Sequence, residues 1–263
     1  MPGRALAAAA LAGLVASALF ISGCGSDSSG GTAQGRLSVV MVDAPDPSAT
    51  AVDVTITDVQ ANVDGQWMSI MPEPRDLNLL ALATAEASLG SITLPPGSYT
   101  QVRLFLGESP TITDADGTHL LRVPSGDQTG LKVNVDHEVR PGVTTTLLLD
   151  FNVEQSVVLT GNGEYLLKPV IRGVVQELTG TISGVVTDFR GRPVKGARVA
   201  ALLPDGSEAN TALTQADGAF KLWALAPGTY TVEATFANKE AEQEGVAVAA
   251  GADTAVGALA LPQ

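Results

Sequence analysis

Two histidines, His119 and His137, are the residues of this 263-residue chain whose type best suits metal or general-base chemistry. Metal-assisted hydrolysis needs two or three His or carboxylate ligands around one open coordination position. Neither histidine sits in an HxxE or HExxH run, and both read as exposed polar side chains on strands or turns. A serine hydrolase is no better supported, because no G-x-S-x-G occurs and the serines lie in turns or alternating strands. Gly161-Asn162-Gly163 has the form of a hairpin turn, not of a nucleotide fingerprint. Asp114-Ala115-Asp116-Gly117 could open a calcium loop, but Ser125 stands where a closing Glu is needed. A hairpin turn is the simpler reading there too. The expectation is a protein that is not an enzyme and carries no metal and no cofactor.

Composition points the same way. The chain has 28 acidic residues against 15 Lys and Arg, a formal net charge of −13, and its basic residues are scattered. A nucleic-acid partner is therefore not expected. Hydrophobic residues make up 45% and charged residues only 16%, with 28 Gly and 15 Pro. That mixture is too apolar for disorder and too rich in turns for a helical bundle. It suits an all-β chain.

Residues 1–23 stand apart. Arg4 supplies a short positive region, and Ala5 to Ile21 is apolar except for Gly13 and Ser17. The run is shorter than a comfortable membrane span and is followed by small residues, the form of a secretory signal peptide. It ends Ile21-Ser22-Gly23-Cys24, which resembles the bacterial lipobox, in which the cysteine is acylated and becomes the first residue of the mature protein. Cys24 is the only cysteine in the chain, so no intramolecular disulfide can form. Residues 24–34 then read as the lipidated Cys and a Gly/Ser tether. Its ten residues after the cysteine span about 18 Å r.m.s., enough to lift a domain just clear of a lipid surface. The resemblance implies a membrane partner through a lipid anchor and a place in the bacterial cell envelope. Gly25, not Asp, follows the cysteine, which implies the outer membrane if the cell has two.

The elements after the tether are strands. LPPGSYTQVRLFL from Leu94 recurs as LAPGTYTVEATF from Leu225. In each, a Pro-Gly turn releases a strand whose first large side chain is Tyr99 or Tyr230. Val102, Leu104 and Leu106 then alternate with Gln101, Arg103 and Phe105, the period of a strand with two different faces. Each tyrosine ring is expected to cover the end of its sandwich while its hydroxyl finds a backbone or solvent partner. Asp64-Gly65 predicts a hairpin with Trp67 on the return strand. Asp76 to Ala87 is the one convincing helical run outside the leader, with Leu77, Leu80 and Ala81 a turn apart. The remaining strands come at about ten-residue intervals, which indicates sandwiches or barrels.

Several blocks in order, SVVMVDAP, DLNLLAL, LPPGSYTQVRL, VPSGDQTGLKV, LLLDFNVEQSVV and GNGEYLLKPVI, resemble the bacterial lipoprotein family known as domain of unknown function 4382. Asn152 departs from an expected Asp-Phe-Asp block, and if that block binds a cation the change weakens it. From Gly180 the chain resembles the carboxypeptidase regulatory-like domain, carried by Gly184, Asp188, Gly191, Pro193, Asp217-Gly218, Phe220, Pro227-Gly228 and Tyr230. The resemblances imply two tandem antiparallel β-sandwich domains, Ig-like or transthyretin-like, over residues 35–178 and 180–263. The peptidase that such regulatory domains accompany has no counterpart here.

A binding surface is expected on strand parity. If Val102 and Leu104 face a core, Gln101 and Arg103 face outward, and the same rule turns Lys132, Asn134, Asp150, Lys168 and Arg172 outward. Together these would make one polar face for a protein or glycan partner. Trp223, opposite in parity to Phe220 and Leu222, is either an exposed stacking residue or packed against the neighbouring domain. The expected function is that of a display or interaction module; carbohydrate recognition is the alternative, though only 4% of the chain is aromatic, and an envelope enzyme of unrecognised type comes third.

Overall fold

A computed structural model of the chain describes residues 33–44, 48–63, 65–124 and 130–263. The leader, Cys24, tether residues 25–32, Asp64 and Ser125 fall outside these described residues. Strands β1 (Gly35–Ala44) and β2 (Ala51–Val63) come first, followed by the short β3 (Gln66–Ser69) and β4 (Arg75–Asn78). Next are β5 (Ala87–Leu94), β6 (Gly97–Leu106), β7 (Thr111–Thr113) and β8 (Thr118–Arg122). The first set ends with β9 (Leu131–Val139), β10 (Thr144–Asn152), β11 (Val157–Leu159), β12 (Tyr165–Leu167) and β13 (Ile171–Val175). The second set is β14 (Gly180–Thr187), β15 (Arg198–Leu202), β16 (Glu208–Leu213) and β17 (Ala219–Leu225), then β18 (Gly228–Phe236), β19 (Lys239–Val248) and β20 (Asp253–Ala260).

The protein is all-β. In the first domain a sheet ordered β13-β10-β1-β5 faces a larger one ordered β11-β12-β8-β7-β2-β6-β9, with β3 and β4 also paired to β2. In the second, β17-β14-β20 faces β16-β15-β18-β19. Among the described residues no strand pairing joins β1–β13 to β14–β20. Three pairings are parallel where antiparallel sheets were expected: β1 with β10, β8 with β12, and β14 with β20. Parallel neighbours need long crossovers. The chain supplies them by sending the opposite sheet's strands between the two partners, which hairpin reasoning cannot foresee.

Each domain has its own core. Leu37, Val39, Met41, Val102, Leu104, Leu147, Leu149 and Phe151 lie in the first, and Ile182, Val199, Phe220, Leu222 and Val232 in the second. The two Pro-Gly turns do what their sequence suggests. Tyr99 and Tyr230 are buried at the start of β6 and β18, and each hydroxyl donates four residues back, to the carbonyls of Pro95 (2.8 Å) and Ala226 (2.7 Å).

Asp76 to Ala87 is not the helix its composition predicts. Asp76 and Leu77 pair with Thr55 and Val54 of β2, and only Leu79–Ala83 coils, as a 3-10 helix. Asn78 caps it by accepting from the Leu80 N–H at 3.2 Å. The three-residue period buries Leu79 and Leu82, not Leu80 and Ala81.

A third, smaller apolar cluster joins the domains: Val40, Val42 and Leu148 from the first, Trp223 and Ala224 from the second, with Val174 against them. β1 and β10 are thus buried on both faces. On β17 a bulge opposite Thr181 inserts one extra residue, and Ala224 takes a positive φ of 55°. Alternation already turns Trp223 away from the core that holds Phe220 and Leu222, and the bulge turns Ala224 the same way before Leu225 returns to that core. Residues Thr32–Gln263 form one compact unit.

Candidate functional site

The outward side chains of β3, β2, β6 and β9 form a continuous polar surface. Their register sets Gln60 beside both Ser69 and Arg103, Arg103 beside Lys132, and Gln101 beside Asn134. The inward partners Val59, Ala61, Val102, Leu104, Val133 and Val135 are buried, so strand alternation holds the polar set outward. Its hydrogen bonds run in a chain. Ser69 Oγ donates to Asp58 Oδ1 (2.6 Å), Gln60 Nε2 donates to Asp58 Oδ2 (2.5 Å), and Arg103 Nε donates to Gln60 Oε1 (2.8 Å). A separate bond ties Gln101 Nε2 to Asn134 Oδ1 at 2.9 Å.

Arg103 is the centre of this face. Its guanidinium carbon lies 4.1 Å from the Trp67 ring centroid and 5.2 Å from that of Phe105. Cation–π contact of this kind holds a long side chain in one place at modest cost in entropy. Phe105 is held in turn by Gly130, where a Cβ would come within 3.0 Å of the ring and φ is +69°. The surface therefore presents planar groups, the three amides of Gln60, Gln101 and Asn134, a guanidinium and an indole, already ordered. With Lys132 next to Arg103 it also places two cations side by side in a chain of net charge −13. Among the described residues no group of three or more His, Cys, Asp or Glu side chains is placed to hold a metal.

Four of the residues expected on one polar face are brought together here: Gln101, Arg103, Lys132 and Asn134. The others are elsewhere. Lys168 is exposed beyond the end of β12, its backbone N–H donating to the Ser156 carbonyl at 2.7 Å. Asp150 is turned outward from its own sandwich as parity requires, but that side of β10 is covered by the second domain and the residue is only 7% exposed. Its Oδ2 accepts from Arg172 Nη2 of its own domain (3.2 Å) and, across the junction, from Asn210 Nδ2 (3.0 Å). Burial pushes the Asp150 carboxyl above the usual range, and Arg172 and Asn210 oppose that only in part. Trp223, 5% exposed, is packed against the first domain, the second of the two placements open to it. Trp67, Gln60, Asp58 and Ser69 were missed by sequence reasoning, because pairing of the β3 hairpin with β2 is what brings them beside Arg103. Trp67 just after the Asp-Gly turn was the available signal.

The other motifs are structural. Asn152 caps the short helix Val153–Ser156 by accepting from the Gln155 N–H at 2.8 Å, and Asp150 holds the junction, so the Asp-Phe-Asn block is accounted for without a cation. Asp114 Oδ1 accepts from the Asp116 and Gly117 N–H groups at 2.8 and 3.1 Å, the turn of the β7–β8 hairpin. The Tyr165 hydroxyl, 2.5 Å from Asp114 Oδ2, holds that carboxyl below its usual range. His119 lies at the surface, 3.2 Å from Asp114. His137, expected to be exposed, is 5% exposed, because its position on β9 points inward beside Tyr99.

Fold and site thus define a two-domain β-sandwich protein with a preordered polar face on the first domain. Residues 34–169 match the family described as Domain of unknown function (DUF4382), and this chain belongs to it. Residues 181–262 match the Carboxypeptidase regulatory-like domain. Neither description names a catalytic activity. No curated protein matches the chain. Among solved structures, a type II cohesin–X-dockerin complex of Acetivibrio cellulolyticus is 24% identical with a TM-score of 0.26, over 31% of this chain and 56% of that one. This chain therefore spans little more than half the length of that relative. The minor pilin GBS52 of Streptococcus agalactiae is 12% identical with a TM-score of 0.27, over 87% and 96% of the two chains. The shaft pilin SpaA of Lactobacillus rhamnosus GG is also 12% identical, with a TM-score of 0.25 over 87% and 97%. TM-scores this low establish no shared function with any of the three.

Proposed function

We propose that this chain is a non-enzymatic, lipid-anchored protein of the bacterial cell envelope that presents the outer face of β3-β2-β6-β9 to a partner. The observation that carries the reading is the ordered Trp67–Arg103–Phe105 stack within the Ser69–Asp58–Gln60–Arg103 hydrogen-bond chain. Two ring contacts and the bond to Gln60 hold the guanidinium in place on this face. Preordering lowers the entropy lost on binding, so a partner meets groups already in place. The leader, Cys24 and the tether supply the anchor in this reading, outer-membrane in a two-membrane cell. A domain boundary at residues 178–180 separates the display face from a second domain that braces the first.

Carbohydrate recognition is the second reading, favoured by the amide pair Gln101–Asn134 on the same face that carries the Trp67 indole. Planar polar groups and an aromatic ring suit sugar hydroxyls and C–H faces. A glycan array on soluble protein lacking residues 1–24, run beside pull-down from envelope extract, separates a glycan from a protein partner. Retention of neither by wild-type protein contradicts the proposal.

A further inference from the structure

Arg103 of β6 and Lys132 of β9 are register partners on antiparallel strands, with both side chains on the outer face. Partners so placed have Cβ atoms about 4.5–5.5 Å apart, and like charges directly opposite weaken the pairing. Among the described residues neither cation makes an ion pair. Asp58, the carboxylate of the hydrogen-bond chain, accepts from Ser69 and Gln60 and not from Arg103. Asp136, on the same side of β9, is four residues from Lys132, about 13 Å along the strand. Arg103 uses only Nε on a described acceptor, the Gln60 amide oxygen, while the Trp67 and Phe105 rings fix its guanidinium. The edge that carries Nη1 and Nη2 is left open, and such an edge matches a carboxylate bidentately. An anion held across Arg103 and Lys132 would remove a repulsion that the fold itself leaves in place.

One step further along the same two strands, Gln101 pairs with Asn134. Two residues of strand set this pair about 7 Å from the cations. Gln101 Nε2 donates to Asn134 Oδ1 at 2.9 Å. That bond leaves Gln101 Oε1 as an acceptor and Asn134 Nδ2 as a donor, side by side at the surface. The face therefore offers a seat for an anion and, a sugar ring's width away, a pair of groups that meets hydroxyls. A uronic acid has the matching arrangement. Its carboxylate stands at one side of the pyranose ring, and hydroxyls, which both donate and accept, stand at the other. A neutral sugar leaves both cations unmatched, and an acidic protein side chain leaves the amide pair unused.

We propose that the outer face of β6 and β9 binds a carboxylated glycan, its carboxylate seated across Arg103 and Lys132 and a ring hydroxyl on Gln101 and Asn134. This rests on the carbohydrate reading of the face and narrows it to acidic sugars. Two probes isolate the charge: the trisaccharide of galacturonic acid and its fully methyl-esterified form, which has the same rings, linkages and hydroxyls. Soluble protein lacking residues 1–24 keeps every described residue and serves for calorimetric titration. The acid form is expected to bind saturably and at least about tenfold tighter than the ester, the lower end of what a hydrogen bond to a charged group is worth. Added salt should narrow that ratio. Lys132→Gln, at an exposed position clear of the core, and Arg103→Gln should each cut the ratio several-fold. The proposal is overturned if the acid form gives no saturable signal, if both forms bind equally, or if the ratio survives both substitutions. Such a result strikes the acidic-sugar assignment alone when Arg103→Ala still abolishes retention of an envelope protein. It strikes the face as a binding surface too when Arg103→Ala retains whatever the wild type retains.

Discussion

The indole Nε1 of Trp223, in the second domain, donates to the backbone carbonyl oxygen of Ala83, in the first, at 2.9 Å. The ring itself packs among Val40, Val42 and Leu148, with Lys221 Nζ 4.1 Å from the ring centroid. This one side chain supplies both the apolar content of the junction and a directional bond across it. Truncation to alanine should therefore cost about 3–5 kcal/mol, as buried aromatic truncations do. It should also split thermal unfolding into two transitions, one per domain. Trp223→Phe keeps most of the packing but leaves the Ala83 carbonyl unmet, a loss of about 1–3 kcal/mol. Calorimetry of the two variants checks this. A single unshifted transition in Trp223→Ala would show that the domains are not coupled through this residue.

The polar half of the junction makes a prediction about pH. Asp150 has its carboxyl pKa raised in the folded protein, burial being the largest cause. The folded state therefore holds this proton more tightly than the unfolded chain. Its contribution to stability is greatest below the ordinary carboxylate pKa and is lost as pH rises through the raised value. Asp150→Asn removes that dependence while keeping a partner for Asn210. In melting experiments the wild type should gain on Asp150→Asn as pH is lowered from neutral through the carboxylate range. A gain for the variant instead would mean that pairing with Arg172 outweighs burial.

The junction was partly written in the sequence. Val39 to Val42 and Leu147 to Phe151 are near-continuous runs of buried residues, not alternating ones. Such runs mark strands buried on both faces. Alternation through Leu37, Val39 and Met41 finds the inner face correctly, while Val40, Val42 and Leu148 carry the second signal. Asp150 within the LLLDF run hid it, because parity alone reads a charged residue as facing solvent. For the polar face, the residues on β6 and β9 are legible from alternation. Trp67 and the Ser69–Asp58–Gln60 chain are not, since they depend on which strands pair. The bulge that turns Ala224 to the same side as Trp223 rests on a positive φ at Ala224, a residue with no special preference for it, so no pattern announces it.

Tyr99 and Tyr230 are 6% and 3% exposed, and each hydroxyl closes onto the carbonyl four residues back across its Pro-Gly turn. Tyr→Ala at either site should cost about 3 kcal/mol or more. Tyr→Phe should cost about 1 kcal/mol, the worth of one hydrogen bond. Thermal melts of each variant test the pair, and melting within a degree of wild type for both alanine variants would mean that neither ring supports its sandwich.

The proposed anchor gives a simple fractionation experiment. Cys24→Ser should move the protein from the membrane pellet to the soluble fraction in detergent-free buffer, since stable attachment depends on more than one acyl chain at this residue. Continued pelleting of the serine variant would place the protein at the membrane by some other route.

A partner held on the outer face of β3-β2-β6-β9 must respond to substitution there and not to substitution on the other domain. Soluble protein lacking residues 1–24 would be probed by glycan array and envelope pull-down as wild type, as Arg103→Ala, and as Glu242→Ala on exposed β19 of the other domain. Arg103→Ala should reduce retention of the wild-type partner by about tenfold, the loss expected when a charge-assisted, stacked contact at a binding surface is removed. Glu242→Ala should leave retention unchanged. If Arg103→Ala retains the partner as well as wild type does, this face is only a solvated surface and the binding site lies elsewhere.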